Sequence, residues 1–382
     1  MAELPERRPI PFNRPSVVGE ERRYMDEALE RGHISGDGEF TRRCSELLER
    51  EIGVGRALLT TSCTHALEMA AILLDIAPGD EIVVPDFTFV STANAFVSRG
   101  AVPVFADVRP DTLNLDERLL ESKLSPRTRA IVPVHYAGVG CAMEEIVALA
   151  RPRGIAIVED NAHGLFGSRA GRALGTWGEL ATLSFHETKN FHCGEGGALL
   201  INDERYVARA EIVREKGTNR KRFFRGEVDR YTWVDIGSSY LPSDLLAAYL
   251  YGQLEQKTAV LAARRAIYER YRDALGEWAQ ARDVRLPTVP PDCEPSYHMF
   301  YMILPTAESR ARLIEGLRSR GILSVFHYLP LHLSEMGRRW GGQPGDCPVS
   351  ESVSERLVRL PFYTSLTEAD QRRVIDVIRD VL

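Results

Sequence analysis

Lysine is scarce in this chain: its 382 residues hold only Lys123, Lys189, Lys216, Lys221 and Lys257, and arginine supplies the other basic groups. Excess positive charge is missing too. A net charge of −6 and a pI near 5.9 leave no basic footprint for nucleic acid or an anionic membrane surface. No apolar run approaches the roughly 20 residues that would span a bilayer. The six cysteines are scattered, with no CxxC spacing, so neither a zinc knuckle nor a redox dithiol is indicated and no metal is expected. They read as free thiols in a reducing compartment. The charged, proline-bearing start, Met1–Arg8, is followed by no apolar stretch, and no secretory signal is expected. These absences point to the cytoplasm. What remains, 44% hydrophobic and 27% charged residues, is ordinary globular composition, in a chain long enough for two domains.

Strand-like apolar runs recur at Ala57–Leu59, Glu81–Val84, Val102–Ala106, Ala130–Val134, Ile155–Val158, Ala181–Phe185 and Ala198–Ile201. Helical patterns such as Ala66–Leu74 and Met143–Ala150 lie between several of them, after an amphipathic lead-in over residues 14–30. This alternation predicts an α/β domain with a mostly parallel sheet, covering about residues 14–250. Past it come a long helix-compatible stretch (Leu245–Leu275) and the proline-rich Leu286–Pro291. Then follow a strand (Met299–Leu304), a helix (Glu308–Arg320), a strand (Leu323–Tyr328) and a closing helix (Glu368–Val381), predicting a smaller C-terminal α/β domain over 251–382.

Ligands of open α/β sheets bind at the carboxyl ends of the strands. Asp107, His135, Asp160 and the segment after Phe185 fall there. Lys189 follows the run ending at Phe185 and precedes Gly194-Glu195-Gly196-Gly197. A lysine so placed can form a Schiff base with an aldehyde cofactor, and a carboxylate at a neighbouring strand end, Asp160, can hold a pyridine nitrogen protonated. Together they are the minimal apparatus of a pyridoxal 5'-phosphate (PLP) enzyme. The turn Thr60-Thr61-Ser62-Cys63-Thr64-His65, between a strand and a helix, suits a phosphate at the helix N-terminus, though Ser and Thr there also serve as plain helix caps. Ser184 can add a hydrogen bond to the phosphate, and His163 can lie over a ring face. Of the aromatics in Pro85-Asp86-Phe87-Thr88-Phe89, Phe87 is the candidate for stacking on the other face; both rings could equally be core. Taken singly, each residue has a bland explanation. Their order along successive strand ends is what makes the pattern specific.

Several segments carry a resemblance: LLDIAPGDE (Leu73–Glu81), FTFVSTANAFVSR (Phe87–Arg99), VRPDTLNLD (Val108–Asp116), VPVHYAGV (Val132–Val139), FHETKN (Phe185–Asn190), REKGTN (Arg214–Asn219), YTWVDIGSSYL (Tyr231–Leu241) and VFHYLPLH (Val325–His332). Over almost its whole length the chain resembles the DegT/DnrJ/EryC1/StrS nucleotide-sugar aminotransferases. Within them it is most similar to the TDP-4-keto-6-deoxyglucose 4-aminotransferases of the enterobacterial common antigen type. The resemblance implies the type I PLP-dependent aminotransferase fold, a large domain with a mostly parallel seven-stranded sheet and a smaller C-terminal domain. It implies Lys189 as cofactor anchor, Asp160 on the pyridine nitrogen, His163 on the ring where many relatives carry Gln, and Ser62, Cys63 and Ser184 on the phosphate.

It further implies a homodimer with the active site at the interface. Many relatives send an Asn from a Gly-Tyr-Asn-Tyr-Arg segment into the partner's site. Here the segment reads Gly237-Ser238-Ser239-Tyr240-Leu241, with Ser239 in the Asn position, a version associated with the TDP-4-keto-6-deoxyglucose subgroup. The expected substrates are L-glutamate and a TDP-keto-sugar, with a C3 ketone or a UDP sugar as the alternative acceptor that other relatives use. The cations of Arg214–Arg225 (Lys216, Arg220, Lys221, Arg222) could meet a pyrophosphate or a donor carboxylate, or form a solvated basic loop. Sugar 3-dehydratases of this fold replace the lysine by histidine, which Lys189 argues against. A catalytically idle regulator should have lost Lys189, Asp160 or the phosphate turn, and all are present.

Overall fold

The computed structural model describes residues 8–382; nearly all of the charged N-terminal stretch discussed above lies outside them. Seven strands form the central sheet: β1 (Arg56–Thr60), β2 (Glu81–Pro85), β3 (Val102–Ala106), β4 (Thr128–Ile131), β5 (Ala156–Asp160), β6 (Leu180–Ser184) and β7 (Gly197–Ile201). Their spatial order is β1-β7-β6-β5-β4-β2-β3. The pairs among β3, β2, β4, β5 and β6 are parallel, and only β7 runs against its neighbours β1 and β6. Strands buried on both faces carry unbroken apolar runs, as β7 does and as β2 does from Ile82 onward. Alternation still divides the two faces. Leu58 of β1 enters a core with Val84, Val158 and Leu199. Its neighbours Ala57 and Leu59 enter another, with Leu183 and Leu200.

Helix α1 (Glu21–Glu30) and helix α2 (Glu39–Ile52) cover the second face, together with a helix at Asp244–Leu254. Helix α3 (Cys63–Leu73) covers the first. It is apolar nearly all round, which marks it as a helix enclosed within the core rather than one with a solvent face.

The C-terminal part gathers around another core, in which Ile267, Tyr271, Phe300, Leu313, Val358 and Val374 are buried. Two differences from the expected elements appear here. The stretch Leu245–Leu275 is not one helix: Asp244–Leu254 and Lys257–Gln280 are separate. The second spans two cores, giving Val260 to the sheet's and Ile267 onward to the C-terminal one. Leu323–Tyr328 is not a strand. Only an isolated bridge joins Val325 to Arg359, and the ladder forms instead between β8 (Tyr301–Ile303) and β9 (Leu357–Arg359). Leu323 and Phe326 stay exposed while His327 is buried, so the segment serves as a wall rather than as a rung.

A third contact zone ties this part to the strand ends. Phe87, Val108 and Tyr136 pack with Met299, Tyr301 and Leu357. Asp86, just past β2, accepts the His332 amide at 2.7 Å on a fully buried carboxylate, and His332 in turn meets Glu351 at 3.1 Å. Asp107, past β3, accepts the amides of Val349 and Ser350 at 2.8 and 2.9 Å. It thereby caps the helix Pro348–Arg356.

Candidate active site

A cavity of about 580 Å³ opens at the carboxyl ends of the strands, walled by Ser62, Cys63, Asp160, His163, Ser184 and Lys189 from the sheet side. The C-terminal part closes it with His298, His327, Tyr328, Arg359 and Phe362. Six of the residues expected from sequence therefore meet in one place.

One end of the cavity is built by β1 and α3. Ser62 is the helix N-cap, and its hydroxyl accepts the His65 amide at 3.1 Å. The amides of Cys63 and Thr64, in the first turn, have no partner within the helix, which leaves them for an anion. Gly197 explains why the turn can sit against β7. A Cβ there would collide with the backbone of Ser62 and Cys63, so only glycine lets the strand approach.

At the end of β5, successive side chains point to opposite faces. Glu159 turns away, accepting the amides of Gly175, Trp177 and Gly178 and meeting His135 at 2.9 Å. His135 is thus a buried structural partner, as Asp107 is. Asp160 turns toward the cavity. Its Oδ2 accepts the Thr92 hydroxyl at 2.8 Å and its Oδ1 the Ala162 amide at 3.2 Å. Burial pushes its carboxyl above the usual range, with the two hydrogen bonds working against that. Such a group is completed by a cation. Lys189 follows β6 in a tight turn in which its amide bonds the carbonyl of His186 at 2.9 Å. Burial lowers the pKa of its amine to about 8, so an appreciable fraction is neutral and nucleophilic near neutral pH.

His163 is buried with its Nδ1 unpartnered, and burial drives its pKa far down. The His298 ring stacks on it at 4.2 Å and 16°, the His327 ring lies 6.3 Å away at 30°, and the side chain lines the cavity. His298 is fixed in turn by Asn190 at 2.9 Å, and the Arg264 guanidinium holds its carbonyl at 2.6 Å.

Phe87 does not occupy the position expected of it. It is 1% exposed and packs edge-on to Tyr136 and Tyr328 in the zone beneath the C-terminal part. Two residues on, Phe89 lies on the cavity wall. The structural reason is that Phe87 continues straight off β2 into the interior, whereas Phe89 starts the turn into helix α4 (Ser91–Val97) at the mouth. Ser239 does not line its own chain's cavity; it is exposed and bridges to Glu215. Three of the four cations singled out after Arg214 meet acids of this chain: Arg220 pairs with Glu215, Lys221 with Asp37, and Arg222 with Glu227.

Sequence reasoning ranked Phe89 below Phe87 and missed Thr92, His298, His327, Tyr328 and Arg359. Thr92 had a signal in the FVSTANAF stretch, and His327 and Tyr328 lay in VFHYLPLH. Nothing local marked His298 or Arg359.

The donor set fits PLP. An anion site at a helix N-terminus, a buried carboxylate in want of a cation, a desolvated lysine and a neutral imidazole line one cavity. The site and the sheet together define a PLP-dependent aminotransferase of the type I fold. A family model for the DegT/DnrJ/EryC1/StrS aminotransferases matches residues 15–379, and the chain belongs to that family. It is 32% identical to GDP-perosamine synthase of Caulobacter vibrioides, with 100% of both chains covered. With spore coat polysaccharide biosynthesis protein SpsC of Bacillus subtilis it shares 30% identity over 98% of this chain and 97% of that one. Among solved structures, the aminotransferase TlmJ from Streptoalloteichus hindustanus superposes with a TM-score of 0.89 at 31% identity, covering 97% of this chain and 98% of that one. The protein is a PLP-dependent sugar aminotransferase. None of its helices, among the described residues, is long and apolar enough to cross a membrane.

Proposed function

We propose that the protein transfers an amino group from L-glutamate to the C4 ketone of TDP-4-keto-6-deoxy-D-glucose, giving a TDP-4-amino-4,6-dideoxyhexose and 2-oxoglutarate. The observation that carries the chemistry is the enclosure of Lys189, Asp160 and the α3 N-terminus in one cavity. The sugar rests on the similarity of the long segments around Phe87, Lys189 and Ser239 to the TDP-4-keto-6-deoxyglucose subgroup.

PLP, when bound, supplies an electron-withdrawing ring. The chain's residues do the rest. Lys189, already partly neutral, anchors the cofactor. Once displaced by the donor amine, it carries the proton to and from the donor's α-carbon. Asp160, oriented by Thr92, stays ionised against the ring nitrogen. Ser62, Cys63 and Ser184 hold the phosphate. His163, kept uncharged by burial, offers a flat apolar face and adds no competing charge.

The working unit we propose is a homodimer in which Ser239 reaches the partner's phosphate. The exposed apolar side chains of Tyr231, Trp233, Val234 and Ile236, just before Ser239, suit a covered surface. Residues 14–250 and 251–382 are proposed as its two domains, with the second forming the substrate-side wall. A second reading, a GDP-linked 4-keto sugar as acceptor, is favoured by the similarity to GDP-perosamine synthase.

The test is the visible spectrum of the PLP-loaded protein, with L-glutamate and then each keto sugar nucleotide added. Bleaching by glutamate with recovery on the TDP sugar supports the first reading. Recovery with the GDP sugar alone transfers it to the second.

A further inference from the structure

Helix Lys257–Gln280 lays an inward stripe of Val260, Ile267, Tyr268 and Tyr271 against the cores, and Arg264 stands in the middle of it. An arginine that is only 2% exposed is out of place in such a stripe. Its neighbour Arg265 behaves as a surface arginine does, meeting Glu269 at 3.0 Å. Burial weighs against the Arg264 charge, and its three hydrogen bonds all go to neutral oxygens. Nε donates to the Tyr297 carbonyl at 2.9 Å, Nη2 to the His298 carbonyl at 2.6 Å and Nη1 to the Thr364 hydroxyl at 3.4 Å. The guanidinium carbon also lies 4.8 Å from the centre of the Phe362 ring, and Phe362 lines the cavity. A buried cation held only by neutral dipoles is a costly way to fill a core position. An apolar side chain would fill it more stably, so the use of an arginine lies in what it holds.

What it holds is the connection Ser296–His298. Tyr297 sits in the left-handed region, with φ of 53°, a conformation that a bulky residue keeps only when its surroundings impose it. Arg264 grips the carbonyl of this residue and of the next. Ser296 fixes the other end. Its amide donates to the Gly138 carbonyl at 3.1 Å, its hydroxyl donates to the His163 carbonyl, and its own carbonyl accepts the Asn190 side-chain amide at 2.6 Å. With Asn190 Nδ2 engaged by Ser296, its Oδ1 faces the His298 Nδ1 at 2.9 Å, so that nitrogen carries the proton. The His298 ring is thus fixed in both place and tautomer. His163 is not held in this way. Its Nδ1 is buried without a partner, and the ring nearest to it is His298, at 4.2 Å and 16°. Tyr136 and His327 stand off at 6.1 and 6.3 Å. The plane of His163 is therefore taken from His298.

We infer that Arg264 is a positioning residue for the cofactor: by holding the Tyr297 and His298 carbonyls it sets the plane of the His298 ring and, through the stack, the plane that His163 offers to PLP. Arg264 is not part of the cavity wall and acts from behind it. Two prongs of one rigid fork on successive carbonyls fix an orientation that a single point donor would leave free, which is the reason for arginine over lysine. This assignment rests on the reading under Proposed function that His163 meets the cofactor ring. It adds where that imidazole gets its direction: from a helix of the C-terminal part rather than from the sheet.

The experiment titrates PLP into the full-length apoprotein and follows its visible band, for wild type, Arg264→Met, Arg264→Lys, His163→Ala and the double variant Arg264→Met/His163→Ala. Thermal unfolding of each checks that it is folded. His163→Ala tests the underlying reading by itself: if it alters neither the Kd of PLP nor the position of the band, His163 does not meet the ring, and the reading fails together with the inference. If it weakens PLP, Arg264→Met should raise the Kd as well, on the order of tenfold, the scale of coupling between groups in contact, and should move the band. The two effects should not add. In the His163→Ala background Arg264→Met should change the Kd by less than about twofold, because the imidazole it directs is gone. Arg264→Lys should recover only part, having the charge without the fork. Wild-type affinity and band in Arg264→Met overturn the inference. So do additive losses in the double variant, which would make Arg264 a residue of the fold alone, and a lysine variant equal to wild type, which would leave the charge and not the fork as what matters. Should Arg264→Met fail to fold, His298→Leu carries the test by cutting the relay at its middle. It should weaken PLP in the wild-type background and not in His163→Ala; an unchanged Kd, or a loss of the same size in both, overturns the inference.

Discussion

The two walls of the cavity are made differently. On the sheet wall, each working group is tied down by hydrogen bonds: Ser62 to an amide, Asp160 to Thr92 and Ala162, the Lys189 backbone to His186. The C-terminal wall adds stacking, His298 on His163 and Arg359 on Phe12; His298 and His327 keep hydrogen bonds to Asn190 and Tyr136, while the Arg359 Nε is left free. Hydrogen bonds fix a group's direction; stacking fixes a plane and lets the edge choose a partner. The first arrangement suits a cofactor that never leaves. The second suits two substrates that take turns in one volume.

Variants on either side should separate these roles. Lys189→Ala should abolish turnover and the visible band of the lysine-bound cofactor; turnover at the wild-type rate would refute the assignment. The rate at which the apoprotein captures PLP should climb with pH and level off above about 8, since only the unprotonated Lys189 amine reacts and its proton leaves through that pH. Asp160→Ala should cost orders of magnitude in kcat while cofactor still binds at the phosphate end; a near-normal rate would remove Asp160 from the mechanism. Phe87→Ala and Phe89→Ala test the boundary between core and site. Loss of the buried Phe87 ring should destabilise the protein by about 3–5 kcal/mol in thermal or denaturant unfolding. Phe89→Ala should leave stability nearly intact and loosen PLP instead. The smallest effect is expected of Ser239→Ala, a modest shortening of PLP retention on dialysis; an unchanged half-time would mean that no serine crosses between subunits.

The sheet wall was legible in the sequence because strand ends recur in chain order, and a residue's place just past an apolar run fixes its place in the sheet. Asp160 and Lys189 needed nothing more. The opposite wall depends on packing between distant segments. His298 is held by Asn190, more than a hundred residues earlier, and Arg359 by Val325 and Phe12. No local spacing encodes such neighbours. Phe87 and Phe89 were indistinguishable for a related reason: two aromatics at a strand's exit differ only in which way the chain then turns. The apolar content of Leu323–Tyr328 suggested a rung, and the pairing went to Leu357–Arg359, which the preceding helix, ending at Arg356, leaves short.

The reversed strand β7 has a consequence for how the protein is made. β1 leads into the Ser62–Cys63 turn and pairs with β7 alone, so on the ribosome it must wait until Ile201 has been synthesised. At roughly 5–20 residues per second, the delay between the two strands is on the order of ten seconds. Throughout that time an apolar strand with two unpaired edges is exposed. Nascent chains of this protein should therefore engage chaperones early, and release from them should coincide with the emergence of β7 rather than with completion of the chain.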